Sequence, residues 1–256
     1  MTNIVGIIPS RYASTRFPAK PLVGIEGKTM IQRVYEQASK AHKLSRVIVA
    51  TDDQRIFDHV KEFGGDVMMT SPEHQTGTDR CAEVLAQLTN VDVVINIQGD
   101  EPFIDPEQID QVAELFERAE TQIGSLVKEI EDEEDLFSDT VVKVVRSKTD
   151  QAIYFSRAAI PFIKGVEKKE WMKSATYYKH IGIYGYRATV LESISKLPQT
   201  NLEKSESLEQ LRWLENGYTI QLAETEHESN SVDTPEDLDR LLDKMVIREN
   251  EKSNRH

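Results

Sequence analysis

Three cations on one loop and two acids far apart in the chain are the residues best suited to chemistry. Arg11, Arg16 and Lys20 follow the apolar run Ile4–Ile8, which reads as a buried strand. Pro18 and Pro21 shape the loop that carries them. In open α/β sheets, ligands bind where a strand gives way to a loop. Arg offers phosphate oxygens a planar fork and Lys a compact point charge, so fixed cations there suit a polyphosphate. The formal net charge of -13 makes such a cluster stand out. Asp100 lies just past the apolar run Val93–Ile97, in Gln98-Gly99-Asp100-Glu101-Pro102. Gly99 permits a tight turn and close backbone approach. A carboxylate at that point can hold Mg²⁺ beside substrate phosphates, or it can satisfy its own turn. Asp233 precedes a helix start and by itself reads as a cap or a partner for the helix dipole.

Other groups carry weaker signals. Thr76 and Asp79 form a capping-box pair ahead of a helix, which accounts for both structurally. The same helix start, with Arg80 beside it, could also bind an anion. His180 adjoins an aromatic-rich strand, where a single His is more often structural than catalytic. Gly27-Lys28-Thr29 ends like a phosphate loop, but Leu22 stands where that motif needs glycine, so it reads as a turn. No HExxH, CxxC or GxSxG occurs and no GxGxxG follows a strand, leaving zinc hydrolysis, nucleophile-elbow chemistry and classical dinucleotide binding unsupported.

The elements that must position these groups alternate from the start. Apolar strand runs at Ile4–Ile8, Val47–Ala50, Val67–Met69 and Val93–Ile95 are separated by helical periodicities. These pass through Met30, Val34 and Ala38, then Ile56 and Val60, then Cys81, Val84 and Leu88. Such alternation implies a mostly parallel sheet covered on both faces. Past residue 120 the pattern loosens. Strands are expected at Val141–Val145, Ile153–Phe155, Ile181–Tyr186 and Ile220–Ala223, and a helix around Leu208, Leu211 and Leu214. The polar stretch Lys164–Lys173 reads as a mobile loop. A last helix, capped by Thr234 and Asp237 with Pro235 first, carries Leu238, Leu241, Leu242, Met245 and Val246 on one face.

Composition sets the class. The chain has 256 residues, 39% of them hydrophobic, which is enough for one large α/β domain. Its single cysteine, Cys81, cannot form an internal disulfide and suits a reducing compartment. With 44 acids against 31 basic residues, nucleic acid is not expected as a partner. No run approaches membrane-span length, and cytoplasmic residence is the expectation.

Together these segments resemble the sugar-acid cytidylyltransferases. The resemblance rests on Pro9–Leu22, Ala50-Thr51-Asp52, His74–Arg80, Gln98–Pro102, Tyr154–Ala158, His180–Tyr186, Leu208–Arg212 and Val232–Asp237, and spans nearly the whole chain. It implies a Rossmann-like nucleotidyltransferase fold with a mostly parallel central sheet and a smaller dimerisation subdomain. Residues 1–248 would form one domain, with roughly 120–190 supplying the sugar site and dimer contacts, followed by a frayed 249–256 tail. It implies a homodimer that uses Mg²⁺. The implied reaction moves CMP from CTP to 3-deoxy-D-manno-octulosonate (Kdo) and releases pyrophosphate, for lipopolysaccharide biosynthesis.

Carried over by position, Arg11, Lys20 and Asp100 are the catalytic group, and Asp100 and Asp233 the metal ligands. Arg11, Ser14, Lys20, Gln75, Thr76 and Arg80 would bind nucleotide. Gln98, Arg157, His180, Tyr184, Glu209 and Gln210 would line the sugar site. Thr76 and Asp79 stand where Ser and Glu are commoner, and Ser231 where Gly is usual, which bears on the turn presenting Asp233. The rival readings are another acceptor, an amino analogue of Kdo or a sialic acid, and a catalytically silent nucleotide-binding protein.

Overall fold

The computed structural model describes residues 2–13, 17–228 and 231–242. Strand β1 (Ile4–Ser10) lies centrally, with Ile7 and Ile8 fully buried on opposite faces. That burial on both sides is why the strand reads as a continuous apolar run. The small hairpin β2 (Gly24–Ile25) and β3 (Lys28–Thr29) turns at Glu26-Gly27, where Gly27 has φ +82°, so the expected turn falls at Gly27 while Lys28 and Thr29 are strand. Helix α1 (Met30–Ala38) is capped by Thr29, and α2 (Gln54–Glu62), after β4 (Arg46–Thr51), is capped by Asp53. Next come β5 (Val67–Met69), α3 (Gly77–Ala86), β6 (Val93–Asn96) and α4 (Pro106–Glu114). The Thr76–Asp79 capping box is present at α3.

The later region comprises β7 (Ile123–Glu129), α5 (Glu133–Phe137), β8 (Lys143–Arg146) and β9 (Ala152–Ser156). It continues with α6 (Trp171–Ser174), β10 (Tyr178–Arg187), α7 (Ala188–Ile194), α8 (Asn201–Glu206), α9 (Gln210–Glu215) and β11 (Ile220–Glu224).

The main sheet runs in the order β11-β7-β10-β6-β1-β4-β5, with β8 pairing β10 and β9. β1 pairs in parallel with β4 and β6, and β4 with β5. β10 runs antiparallel between β6 and β7, while β11 pairs in parallel with β7. The seven-strand path is therefore largely parallel, reversed at β10, while β8 and β9 add antiparallel pairs beside it. Alternate residues feed two cores: Ile8, Val49 and Ile95 pack on one face, Ile7, Ile48 and Val94 on the other.

One expectation is corrected and another extended. Lys164–Lys173 is not a structureless loop: a 3₁₀ turn at Lys168–Glu170 leads into α6. Trp171, 3% exposed, anchors it, its indole donating to the Val166 carbonyl at 3.0 Å. Val166 and Met172 pack into the same small apolar cluster, which fastens an otherwise polar stretch. The helix expected around Leu208, Leu211 and Leu214 is present as α9, and what the sequence reading lacked is α8 ahead of it, which ends where Ser207 adopts φ +53°.

Residues 235–242 are helical, and Thr234 and Asp237 exchange the expected capping bonds. Val232, Leu238 and Leu241 pack against Ile25 and Met30. This satellite core brings the C-terminal region back over the end of β1. Met245, Val246 and the 249–256 tail lie outside the described residues.

Candidate active site

Asp100 sits beyond β6 on a turn pressed against the end of β1. A Cβ on Gly99 would stand 2.7 Å from the Pro9 carbonyl oxygen, so only glycine allows that approach. The Val232 amide donates to the Asp100 carbonyl at 2.9 Å, tethering the turn to the segment that carries Asp233. The two acids thereby converge. Lys20, on a 3₁₀ turn (Lys20–Leu22), places Nζ 2.8 Å from Asp100 Oδ2 and 3.3 Å from Asp233 Oδ1. A cavity of about 370 Å³ opens here, lined by Ser10, Arg11, Lys20, Gln98, Asp100 and Asp233 among others. The Ser10 hydroxyl is buried at its edge with no hydrogen-bond partner among the described residues. Paired carboxylates that already share one cation, with Arg11 on the same cavity, are a hard-oxygen donor set that fits Mg²⁺ with a polyphosphate. Ser14 and Arg16 lie outside the described residues.

A second cavity of about 740 Å³ shares Gln98 and Asp100 with the first and extends along β10 past His180, Ile181 and Gly182. The β10–β7 register shifts between Ile181 and Tyr184. The Gln98 side-chain amide donates to the Gly182 carbonyl within that shift, at 2.9 Å. On β7, the Ser125 Oγ lies 2.8 Å from the Ile183 carbonyl and 2.9 Å from His180 Nε2. A hydroxyl has one hydrogen. Given to the Ile183 carbonyl, it makes Ser125 Oγ the acceptor for Nε2–H and leaves His180 Nδ1 as an acceptor. Desolvation pushes the His180 pKa down to about 3, so the ring is neutral.

Behind this wall stand Tyr184, edge-on to Trp213 at 5.0 Å, and Glu209, which accepts from the Thr78 hydroxyl at 2.9 Å. Burial raises the Glu209 carboxyl pKa and pushes the Tyr184 phenol well up. Gln210 is buried at the start of α9. Arg212 reaches toward Glu209 at 3.7 Å and is held by Glu203 in a buried pair.

The structure thus gathers Arg11, Lys20, Gln98, Asp100, His180 and Asp233 around adjoining cavities. It places other candidates elsewhere. Arg80, 1% exposed, pairs with Asp52 at 2.9 Å and braces Thr70 and the Ser71 carbonyl. Arg157 donates to the carbonyls of Glu206 and Asp139 at 2.8 and 2.9 Å. Thr76 caps α3, and the exposed Gln75 donates to the Glu73 carbonyl at 2.9 Å. Sequence reasoning missed Lys179, Asp135 and Glu228, which line the larger cavity. Lys179 pairs with Asp135 at 2.6 Å and Glu228 at 2.9 Å. Their only signal was charge, indistinguishable in the sequence from a solvated face.

The sequence model of the cytidylyltransferases matches residues 5–224. The chain belongs to the cytidylyltransferase family. A 3-deoxy-manno-octulosonate cytidylyltransferase of Parabacteroides distasonis is 54% identical over 247 residues, covering 94% of this chain and 98% of that one. Another, of Geobacter sulfurreducens, is 47% identical over 251 residues, covering 95% and 99%. A solved CMP:2-keto-3-deoxy-manno-octonic acid synthetase complexed with CTP is 38% identical, with TM-score 0.89, covering 96% of this cytidylyltransferase and 100% of that chain. A 4-diphosphocytidyl-2C-methyl-D-erythritol synthase of Anaerococcus prevotii, 12% identical with TM-score 0.60, shares the fold, covering 93% and 95%. Among the described residues, no helix is long and apolar enough to cross a membrane.

Proposed function

We propose that this cytidylyltransferase moves CMP from CTP to Kdo and releases pyrophosphate. The convergence of Asp100, Asp233 and Lys20 beside the cavity walled by Gln98 and His180 carries the reading. Full-length relatives named for this reaction support it. In the transfer, an acceptor hydroxyl oxygen bonds the α-phosphorus, the bond from that phosphorus to the α–β bridging oxygen breaks with its electron pair leaving on pyrophosphate, and the hydroxyl proton passes to solvent. Asp100 and Asp233 would hold Mg²⁺, which when bound lowers the pKa of an attacking hydroxyl and offsets α-phosphate charge. Arg11 and Lys20 stabilise the charge that builds on departing pyrophosphate. Neutral His180 accepts a sugar hydroxyl through Nδ1. Gln98 fixes the β10 bulge that forms the acceptor wall.

The enzyme would work as a cytoplasmic homodimer in lipopolysaccharide biosynthesis. The exposed Phe162 and Ile153, 72% and 61% accessible, supply apolar surface for a second copy. Pyrophosphate release is the test, with CTP plus Kdo, with and without Mg²⁺, and with UTP or a sialic acid substituted. Release requiring CTP, Kdo and Mg²⁺ together is expected. Its absence from the complete mixture overturns the assignment.

A further inference from the structure

The two proposed metal ligands already share a cation, and it belongs to the chain. Lys20 Nζ bonds Asp100 Oδ2 and lies within ion-pair distance of Asp233 Oδ1, with 15% of its side chain exposed. We propose that Lys20 is a resting counter-cation for this carboxylate pair, released when a divalent metal and nucleotide bind and then donated to the phosphates. The proposal rests on the metal assignment above and assigns Lys20 a second position.

The physical case is one of charge and space. Asp100, Asp233 and Lys20 together carry one net negative charge; without the ammonium they carry two. The ammonium offsets part of that negative charge while no metal is present. A divalent ion needs carboxylate oxygens in its first shell at about 2.0–2.1 Å, and an ammonium on the same oxygens repels it. The two cations therefore compete for one place. Lys is suited to leave, being a point charge on a flexible four-carbon stem. It also has a destination, because Lys20 and Arg11 line the same 370 Å³ cavity beside Asp100. Phosphate oxygens there would draw Nζ away from the acids and so strengthen metal binding. By linkage, metal would strengthen nucleotide binding by the same factor.

The test uses the whole chain and Mn²⁺ as the probe, with free Mn²⁺ read by electron paramagnetic resonance. Without nucleotide, Lys20→Met and Lys20→Gln should bind Mn²⁺ about tenfold more tightly than the natural chain, a coupling of ordinary size. With CTP present and no acceptor, that advantage should shrink to about threefold or less, because Lys20 in the natural chain has then left the acids. Thermal melts establish that both variants fold. If both bind Mn²⁺ no more tightly than the natural chain without nucleotide, Lys20 is not a competing cation and the proposal falls. Asp100→Asn separates the two failures. Should it weaken Mn²⁺ binding while the Lys20 variants leave it unchanged, only the counter-cation role is overturned. Should it leave Mn²⁺ binding unchanged in the natural and Lys20→Met chains alike, the metal assignment falls and the proposal with it.

Discussion

Residues 4–100 place their functional side chains on loops just past parallel strands, whereas residues 123–224 place theirs inside the sheet and its covering helices. Arg11, Lys20 and Asp100 are partly or fully exposed and meet at strand ends. Ser125, Tyr184 and Gln210 are buried, and His180 is wedged between Phe155 and Tyr184 at ring distances of 5.2 and 5.1 Å. The first arrangement separates chemistry from folding, because loop residues at a strand end can change without disturbing the core. The second couples them, since a buried polar group that loses its partner costs stability as well as recognition.

Asp100→Asn tests the first half of that contrast and has the largest expected effect. kcat should fall by about 10³-fold, the scale of losing a preorganised transition-state contact. Tm should stay within a few degrees of the natural chain, because Asn preserves the shape of the turn. Steady-state kinetics and a melt measured on one preparation decide it. A large fall in Tm would show that the strand-end site is as entangled with folding as the acceptor wall.

The acceptor half should respond in the opposite sense. Glu203, 6% exposed, holds Arg212 through two bonds of 2.8 and 2.5 Å and also accepts the Thr200 amide. Glu203→Ala removes the main partner of a buried guanidinium, leaving it the Leu197 carbonyl and the more distant Glu209, and should cost about 3 kcal/mol by denaturant unfolding.

An effect of the same kind, smaller over any one pH unit, is expected from the titration of His180. His180 titrates near pH 3 in the native protein and near 6.5 when unfolded. Between those values the unfolded chain holds a proton that the native chain lacks. Stability from this group is therefore complete above about pH 6.5 and falls as the pH drops toward 3, by up to about 1.4 kcal/mol per unit. His180→Asn should unfold with a flatter pH dependence than the natural chain across pH 4–6.5. Parallel curves for the two proteins would mean that the imidazole is not held neutral by its surroundings.

The same contrast governs what could be read from the sequence. β1, β4 and β6 announce themselves as apolar runs because both their faces are covered. Capping boxes at Thr76 and Thr234 are legible because they are local. β7 is not: Ser125 and Lys128 are buried within it, so it shows neither an unbroken apolar run nor clean alternation. Arg80 and Arg157 read as anion-binding groups because a guanidinium looks the same whether it faces a cleft or braces backbone carbonyls. The meeting of Lys20 with Asp100 and Asp233 spans separations of 80 and 213 residues. No local pattern encodes it. It depends on Val232 docking on Asp100 and on the helix at 235–242 packing over Ile25 and Met30.

The smallest predicted effect falls on the residue that belongs to both halves. Gln98 follows β6, so its backbone is part of the strand-end site, yet its side chain donates across the cleft to Gly182 in the β10 bulge. It also lines both cavities. Gln98→Ala removes a hydrogen bond whose net worth is about 1 kcal/mol and loosens the bulge that shapes the acceptor wall. The KM for Kdo should rise about five- to tenfold while the KM for CTP stays within about twofold, since Arg11 and Lys20, the groups proposed to hold the nucleotide, are untouched. Gln98→Glu should be worse for Kdo than alanine, because a carboxylate would face both the Gly182 carbonyl and an anionic acceptor. Both constants come from one set of steady-state titrations. If the CTP constant rises as much as that for Kdo, Gln98 serves the nucleotide side and the boundary between the halves must be moved to β10 itself.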